Sequence, residues 1–183
     1  MSKYALLVID MQNAYFNNDA LEQQRSALVL SCNDLIAQAI KQNIPVINIV
    51  TEHKRDKSTW TLNMLDDGEG YLFEGDNETA VDDVLELVGA TTIVKTRDSA
   101  FYGTDLYTLL DEKDIESVIL AGVSTHSCIM QTAADAYAHN LRVILAHDAI
   151  ASHDPDFEEM TYGLLAQEYR QKICSNAEIL SHL

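Results

Sequence analysis

Short runs of apolar residues recur along the chain with longer polar or mixed stretches between them: residues 4–9 (YALLVI), 45–50 (PVINIV), 92–94, 117–121 (SVILA) and 142–146 (RVILA). A run without polar alternation is the pattern of a strand buried on both faces, as in a parallel sheet. The intervening segments are long enough for helices. One of them, residues 21–42, repeats Leu28, Cys32, Leu35, Ile36, Ala39 and Ile40 at helical spacing, which predicts an amphipathic helix with Cys32 on its apolar stripe. Strand and helix therefore alternate, and the expected class is α/β with a mainly parallel central sheet. Residues 52–78, rich in Asp, Gly, Asn and Glu and poor in periodicity, read as a long loop or lid. No internal repeat or low-complexity tract interrupts the pattern.

Composition narrows the partners. With 183 residues and 47% hydrophobic content the chain can bury one sizeable core, so residues 1–183 are expected to form a single domain. Twelve basic against 29 acidic residues give a formal charge of −17, which repels phosphate backbones and anionic lipid alike. No nucleic acid and no membrane is therefore expected as a partner. The acidity is spread out, with short clusters such as Asp66-Asp67 and Asp82-Asp83, as on a solvated surface. Three cysteines without a CxxC pair suit reduced thiols, and the first apolar run is too short for a secretory leader, so the expected location is cytoplasmic.

In open α/β sheets ligands bind beyond the carboxyl ends of the strands, which directs attention to Asp10, Lys95 and Cys128, each just after an apolar run. Residues 122–128 (GVSTHSC) join a strand to a helical-looking segment, 129–138, with Ser124 or Thr125 available as N-cap. Cys128 would then lie in the first helical turn, where unsatisfied N–H groups and the helix dipole lower a thiol's pKa and could hold an oxyanion. Taken singly, each residue has a plain explanation: a buried core thiol, a capping carboxylate, an exposed ammonium. Together they supply a nucleophile, a base to take its proton and a cation to balance the anions formed.

With these residues in place, the chain resembles the isochorismatase-like cysteine hydrolases, a family that includes nicotinamidases and the N-carbamoylsarcosine, maleamate, ureidoacrylate and biuret hydrolases. The resemblance rests on three ordered motifs: Leu7-Val8-Ile9-Asp10-Met11-Gln12-Asn13, Val94-Lys95-Thr96-Arg97-Asp98-Ser99-Ala100-Phe101 and Gly122-Val123-Ser124-Thr125-His126-Ser127-Cys128. It implies a three-layer αβα, Rossmann-like fold and a catalytic triad of Asp10, Lys95 and Cys128. It further implies a cis peptide between Val123 and Ser124, an oxyanion hole from the amides of Ser124 and Cys128, and a homo-oligomer.

Two departures refine the expectation. Nicotinamidases hold a metal through Asp-x-His and a later His, whereas this loop reads Thr51-Glu52-His53-Lys54-Arg55 with no further histidine before His126. No metal is therefore expected, and His53 is expected to face the substrate. Isochorismatases proper split an enol ether without a cysteine nucleophile, so Cys128 favours amide, ureido or carbamoyl hydrolysis through a thioester, with no metal or organic cofactor. Gln12, Phe16, His53 and Trp60 are the expected lining of the small-molecule pocket. Tyr71, Phe101 and Tyr102 are as readily core, Arg97 and His126 receive no fixed role, and Cys32 and Cys174 are assigned to packing. The alternatives are an enol-ether hydrolase and a binding protein without turnover on the same fold. A dinucleotide-dependent oxidoreductase is set aside, because Asp10-Met11-Gln12-Asn13 lacks the glycines such a turn requires.

Overall fold

A computed structural model of the chain describes residues 3–182. Six strands, β1 (Tyr4–Ile9), β2 (Val46–Thr51), β3 (Thr91–Lys95), β4 (Ser117–Val123), β5 (Arg142–Ala151) and β6 (Lys172–Cys174), form one sheet in the order β3-β2-β1-β4-β5-β6. Every pairing is parallel. The expected α/β class and three-layer arrangement are what the chain adopts, and the sheet is parallel throughout.

Alternate residues of β1 feed two cores, as the two-residue period of a strand requires. Ala5, Leu7 and Ile9 join Leu106 and Leu110 of α3 (Leu106–Asp111), Ala133 and Ala136 of α4 (Met130–Ala138), and Tyr162 and Leu165 of α5 (Pro155–Tyr169). Leu6 and Val8 pack on the other face against Leu28, Cys32, Leu35 and Ile36 of α1 (Asp19–Lys41) and Ile179 of α6 (Asn176–His182). Helix α1 begins two residues before the expected position because Asn18 caps it, accepting from the N–H groups of Ala20 and Leu21. Ile40, counted on its apolar stripe, is instead 49% exposed beside a shallow hollow at the amino ends of the strands.

Two further elements depart from expectation. Strand β6 is only three residues long and only partly buried, so it carries no apolar run that a sequence pattern could reveal. The 52–78 region contains a short helix, α2 (Leu62–Asp67), capped by Thr61. It is closed internally by a bridge between His53 and Phe73 and by an Arg55–Asp76 ion pair, and tied to the body by the Glu52 N–H, which donates to the Lys95 carbonyl at 3.1 Å.

The strand order reverses direction between β1 and β4, so the chain opens a crevice at their carboxyl ends. Gly122 makes the approach possible: its φ is +114°, and a Cβ there would lie 2.0 Å from the carbonyl oxygen of Ile9. Only a residue without a side chain fits.

Candidate active site

Asp10 leaves β1 with φ +54°, a left-handed conformation that Asp tolerates better than most residues, while its N–H still donates to Ile49 at 2.9 Å. Its carboxylate is fully buried, as is Lys95 at the end of β3. The Lys95 ammonium lies 2.8 Å from Asp10 Oδ2 and donates to Thr51 Oγ1 at 2.7 Å, to the Arg97 carbonyl at 3.0 Å and to Cys128 Sγ at 3.4 Å. Burial disfavours that charge, but Asp10 and Cys128 outweigh it and hold the Lys95 pKa above its usual value. The three strand-end residues singled out in the sequence therefore meet at one point.

Cys128 does not lie in the first turn of an α-helix. Residues Thr125–Ile129 form a single π-helical turn that precedes α4, and Ser124 at its start makes no side-chain cap. The Val123–Ser124 peptide is cis. The expected lowering of the thiol pKa is overturned: burial first, and then the Asp10 charge, push Cys128 well above the ordinary thiol range, with Lys95 pulling the other way. A nearly dry setting and an adjacent carboxylate outweigh what a helix terminus offers. At rest the sulfur is a thiol.

The expected pocket residues divide. Gln12 is fully buried and its amide is wholly engaged: Nε2 donates to the carbonyls of Thr51 (2.9 Å) and Thr79 (2.7 Å), and Oε1 accepts from the Thr51 N–H (2.8 Å). It fastens β2 and the following loop to the end of β1. Phe16 packs in the α1-side core beneath the Arg25 guanidinium. Trp60 donates from Nε1 to the Lys54 carbonyl and stands so close to Gly70 that a Cβ there would meet its ring at 2.5 Å. His53 is buried, with Nδ1 3.0 Å from the Thr59 carbonyl; burial lowers its pKa despite that contact, so the ring is neutral and Nδ1 carries the proton.

Arg97 forms no salt bridge among the described residues. It donates to the carbonyls of Thr59, Trp60 and Thr96, and so holds the 52–78 loop against β3. His126 faces Ser152 Oγ at 2.8 Å, with the His153 and Phe157 rings beside it. Cys32 is buried on α1, where its burial pushes the thiol up to about 12, and Cys174 packs at the edge of the same core. A cleft of about 650 Å³ opens along Thr61 to Met64, Gly70, Tyr71, Arg97, Asp98 and Gln131.

Thr51 and Tyr15, which sequence reasoning passed over, and Tyr71, which it left as readily core, complete the site. Thr51, the last residue of β2, donates from Oγ1 to Asp10 Oδ1 at 2.9 Å. The Tyr15 phenol has its pKa pushed well up by burial and then by the charges of Asp10 and Cys128, and interacts with Thr51. Tyr71 is raised by burial and by Cys128 in the same way. The strand-end rule that selected Asp10 and Lys95 also selects Thr51; Tyr15 and Tyr71 carry no such signal.

The donor set does not fit a nicotinamidase-type metal. Among the described residues no three His, Cys, Asp or Glu side chains are grouped to hold an ion, and His53 has committed Nδ1 to Thr59.

Comparisons with known proteins agree with this fold. A "probable inactive nicotinamidase" of Arabidopsis thaliana is 33% identical over 161 residues, 83% of this chain and 82% of that protein. The maleamate amidohydrolase of Pseudomonas putida is 29% identical over 173 residues, 86% of this chain and 76% of its own length. The crystal structure of an isochorismatase family protein from Desulfovibrio vulgaris superposes with a TM-score of 0.87 at 26% identity, covering 98% of this chain and 97% of that one. The isochorismatase domain model matches residues 4–177, and with the three buried strand-end groups in the arrangement described, the chain belongs to the isochorismatase family of hydrolases.

Proposed function

We propose that this chain hydrolyses a C–N bond in a small amide, ureido or carbamoyl compound through a thioester on Cys128, with Asp10 carrying the proton and Lys95 supplying a fixed positive charge. One observation carries the reading: Lys95 Nζ stands 2.8 Å from Asp10 Oδ2 and 3.4 Å from Cys128 Sγ, so base, cation and nucleophile share one water-poor pocket. The similarity to a maleamate amidohydrolase supports a C–N bond as the target.

Because burial and Asp10 hold the resting sulfur as a thiol, deprotonation is coupled to attack. Asp10 takes the proton as Cys128 bonds to the substrate carbonyl carbon, and the N–H groups of Ser124 and Cys128 receive the developing oxyanion. Collapse breaks the C–N bond, and Asp10 returns the proton to the departing ammonia or amine. Water, losing a proton to the same carboxylate, then cleaves the thioester; the acid leaves and the thiol regains its proton. Lys95 keeps the carboxylate and sulfur charge-balanced throughout, and no metal or organic cofactor is required.

Acid quenching during turnover, followed by peptide mapping, tests the covalent step. An acyl adduct on the Cys128 peptide is expected, and turnover without such an adduct in a protein that survives Cys128→Ala would remove the thioester from the scheme. The likeness to a relative named as inactive favours one rival, a pocket that binds a small amide and leaves it intact. Saturable binding with no product at any enzyme concentration would select that rival.

A further inference from the structure

Lys95 ends β3 and Asp10 directly follows β1; these strands are not neighbours, and β2 lies between them. Strands in a sheet are about 4.8 Å apart, so the two backbones are separated by roughly 10 Å and something must fill the gap at the level of their charges. The residue in that gap is Thr51, paired in register with Lys95 across the β2–β3 ladder. Its side chain is buried, and its single hydroxyl is used in both directions: Oγ1 accepts from Lys95 Nζ at 2.7 Å and donates to Asp10 Oδ1 at 2.9 Å. Gln12 holds the Thr51 backbone from both sides through its N–H and its carbonyl.

The two carboxylate oxygens are thereby made unequal. Oδ1 receives the Thr51 hydroxyl, while Oδ2 faces Lys95 and has no other partner among the described residues. A carboxylate rotates about its Cβ–Cγ bond unless a directional bond pins one oxygen. We infer that Thr51 is a positioning residue of the proposed reaction: its hydroxyl fixes Asp10 Oδ1 and the Lys95 ammonium together, and so presents Oδ2 as the oxygen that exchanges a proton with Cys128. The inference rests on the reading of Asp10 and Cys128 given above. It does not depend on which amide is the substrate.

Thr51→Val keeps the branched shape and removes the hydroxyl; Thr51→Ser keeps the hydroxyl and removes the methyl. On any small amide the enzyme turns over, Thr51→Val is expected to lower kcat by about 10- to 100-fold, the lower range for misplacing a general base, with KM within about twofold. Thr51→Ser is expected to stay within about threefold of wild type on the same scale. Equal losses in both variants would assign Thr51 to packing, and an undiminished kcat in Thr51→Val would overturn the inference. A substrate-free readout separates this result from the fate of the hydrolase reading. The rate of Cys128 alkylation by iodoacetamide at neutral pH, followed by peptide mapping, is expected to fall about tenfold in Thr51→Val and not in Thr51→Ser, because the nearby base that draws off the thiol proton is no longer aimed. Unchanged labelling in Thr51→Val would contradict the positioning role even if no amide is ever hydrolysed. Should Thr51→Val fail to fold, Thr51→Ala against Thr51→Ser gives the same contrast.

Discussion

Lys95 and Asp10 form an ion pair that solvent does not reach, with Nζ 2.8 Å from Oδ2 and both side chains fully buried. Such a pair contributes little net stability when intact, yet removing one partner strands a buried charge. Lys95→Met is therefore expected to cost about 3–5 kcal/mol in urea unfolding at pH 7. A loss under about 1 kcal/mol would mean that the pair is hydrated rather than buried.

Gln12→Leu preserves bulk but leaves the carbonyls of Thr51 and Thr79 and the N–H of Thr51 without the amide that satisfies them. Stability is expected to fall by about 3 kcal/mol, on the scale of 1–3 kcal/mol for each buried polar group left unpaired. Hydrogen exchange gives the local signature, faster exchange of the Thr51 amide. A variant whose Thr51 amide stays as protected as before would show that Gln12 is not its acceptor.

The glycines offer an internal contrast. Gly122→Ala would place a Cβ 2.0 Å from the Ile9 carbonyl at a φ of +114°, so loss of soluble folded protein is expected. Gly163, inside α5, has nothing within 4 Å of its would-be Cβ, and Gly163→Ala is expected to stabilise by about 0.5–1 kcal/mol through helix propensity. Gly163→Ala is expected to raise the thermal midpoint, and a Gly122→Ala protein that folds with an undiminished midpoint would refute the reading of the β1–β4 approach.

Cys32 supplies a pH signature. Its folded-state thiol is pushed up to about 12 from 9.0 by burial, so above pH 9 the unfolded chain releases a proton that the folded chain keeps. The stabilisation is fully present below 9 and is lost as pH rises toward 12, in total about 4 kcal/mol, at 1.36 kcal/mol per unit. Cys32→Ala opens a small cavity and is less stable than wild type at pH 8, but the gap is expected to shrink by about 2 kcal/mol by about pH 10.5. A gap that stays constant over this range would place Cys32 in contact with water.

Much of this architecture is legible in the chain because a parallel sheet writes itself as unbroken apolar runs, and the residues just beyond those runs are Asp10, Lys95 and Cys128. The third strand shows how little of a run is needed: β3 lies at the sheet edge with Val94 47% exposed, and Lys95 is its one buried residue. Legibility ends where meaning depends on neighbours in space. Thr51 reads as an ordinary strand residue until β1 and β3 are set on either side of it. Gln12 reads as a substrate contact, and Arg97 has no fixed role, until their hydrogen bonds are traced to backbone carbonyls. The direction of the Cys128 shift was invisible because helix position is encoded locally, whereas burial and the Asp10 charge arrive from distant segments. Tyr15 was passed over for Phe16 because adjacent aromatics in a short turn, Asn13–Asn17, differ only in which way they face.

The central claim, cysteine-dependent hydrolysis of a C–N bond, is tested most directly by measuring ammonia or amine release from a panel of small amides, ureido acids and carbamoyl compounds with wild type and Cys128→Ala side by side. Release by wild type with a loss of at least about 10³-fold in Cys128→Ala is the predicted result, the scale expected when a covalent nucleophile is removed. Release that survives in Cys128→Ala would contradict it.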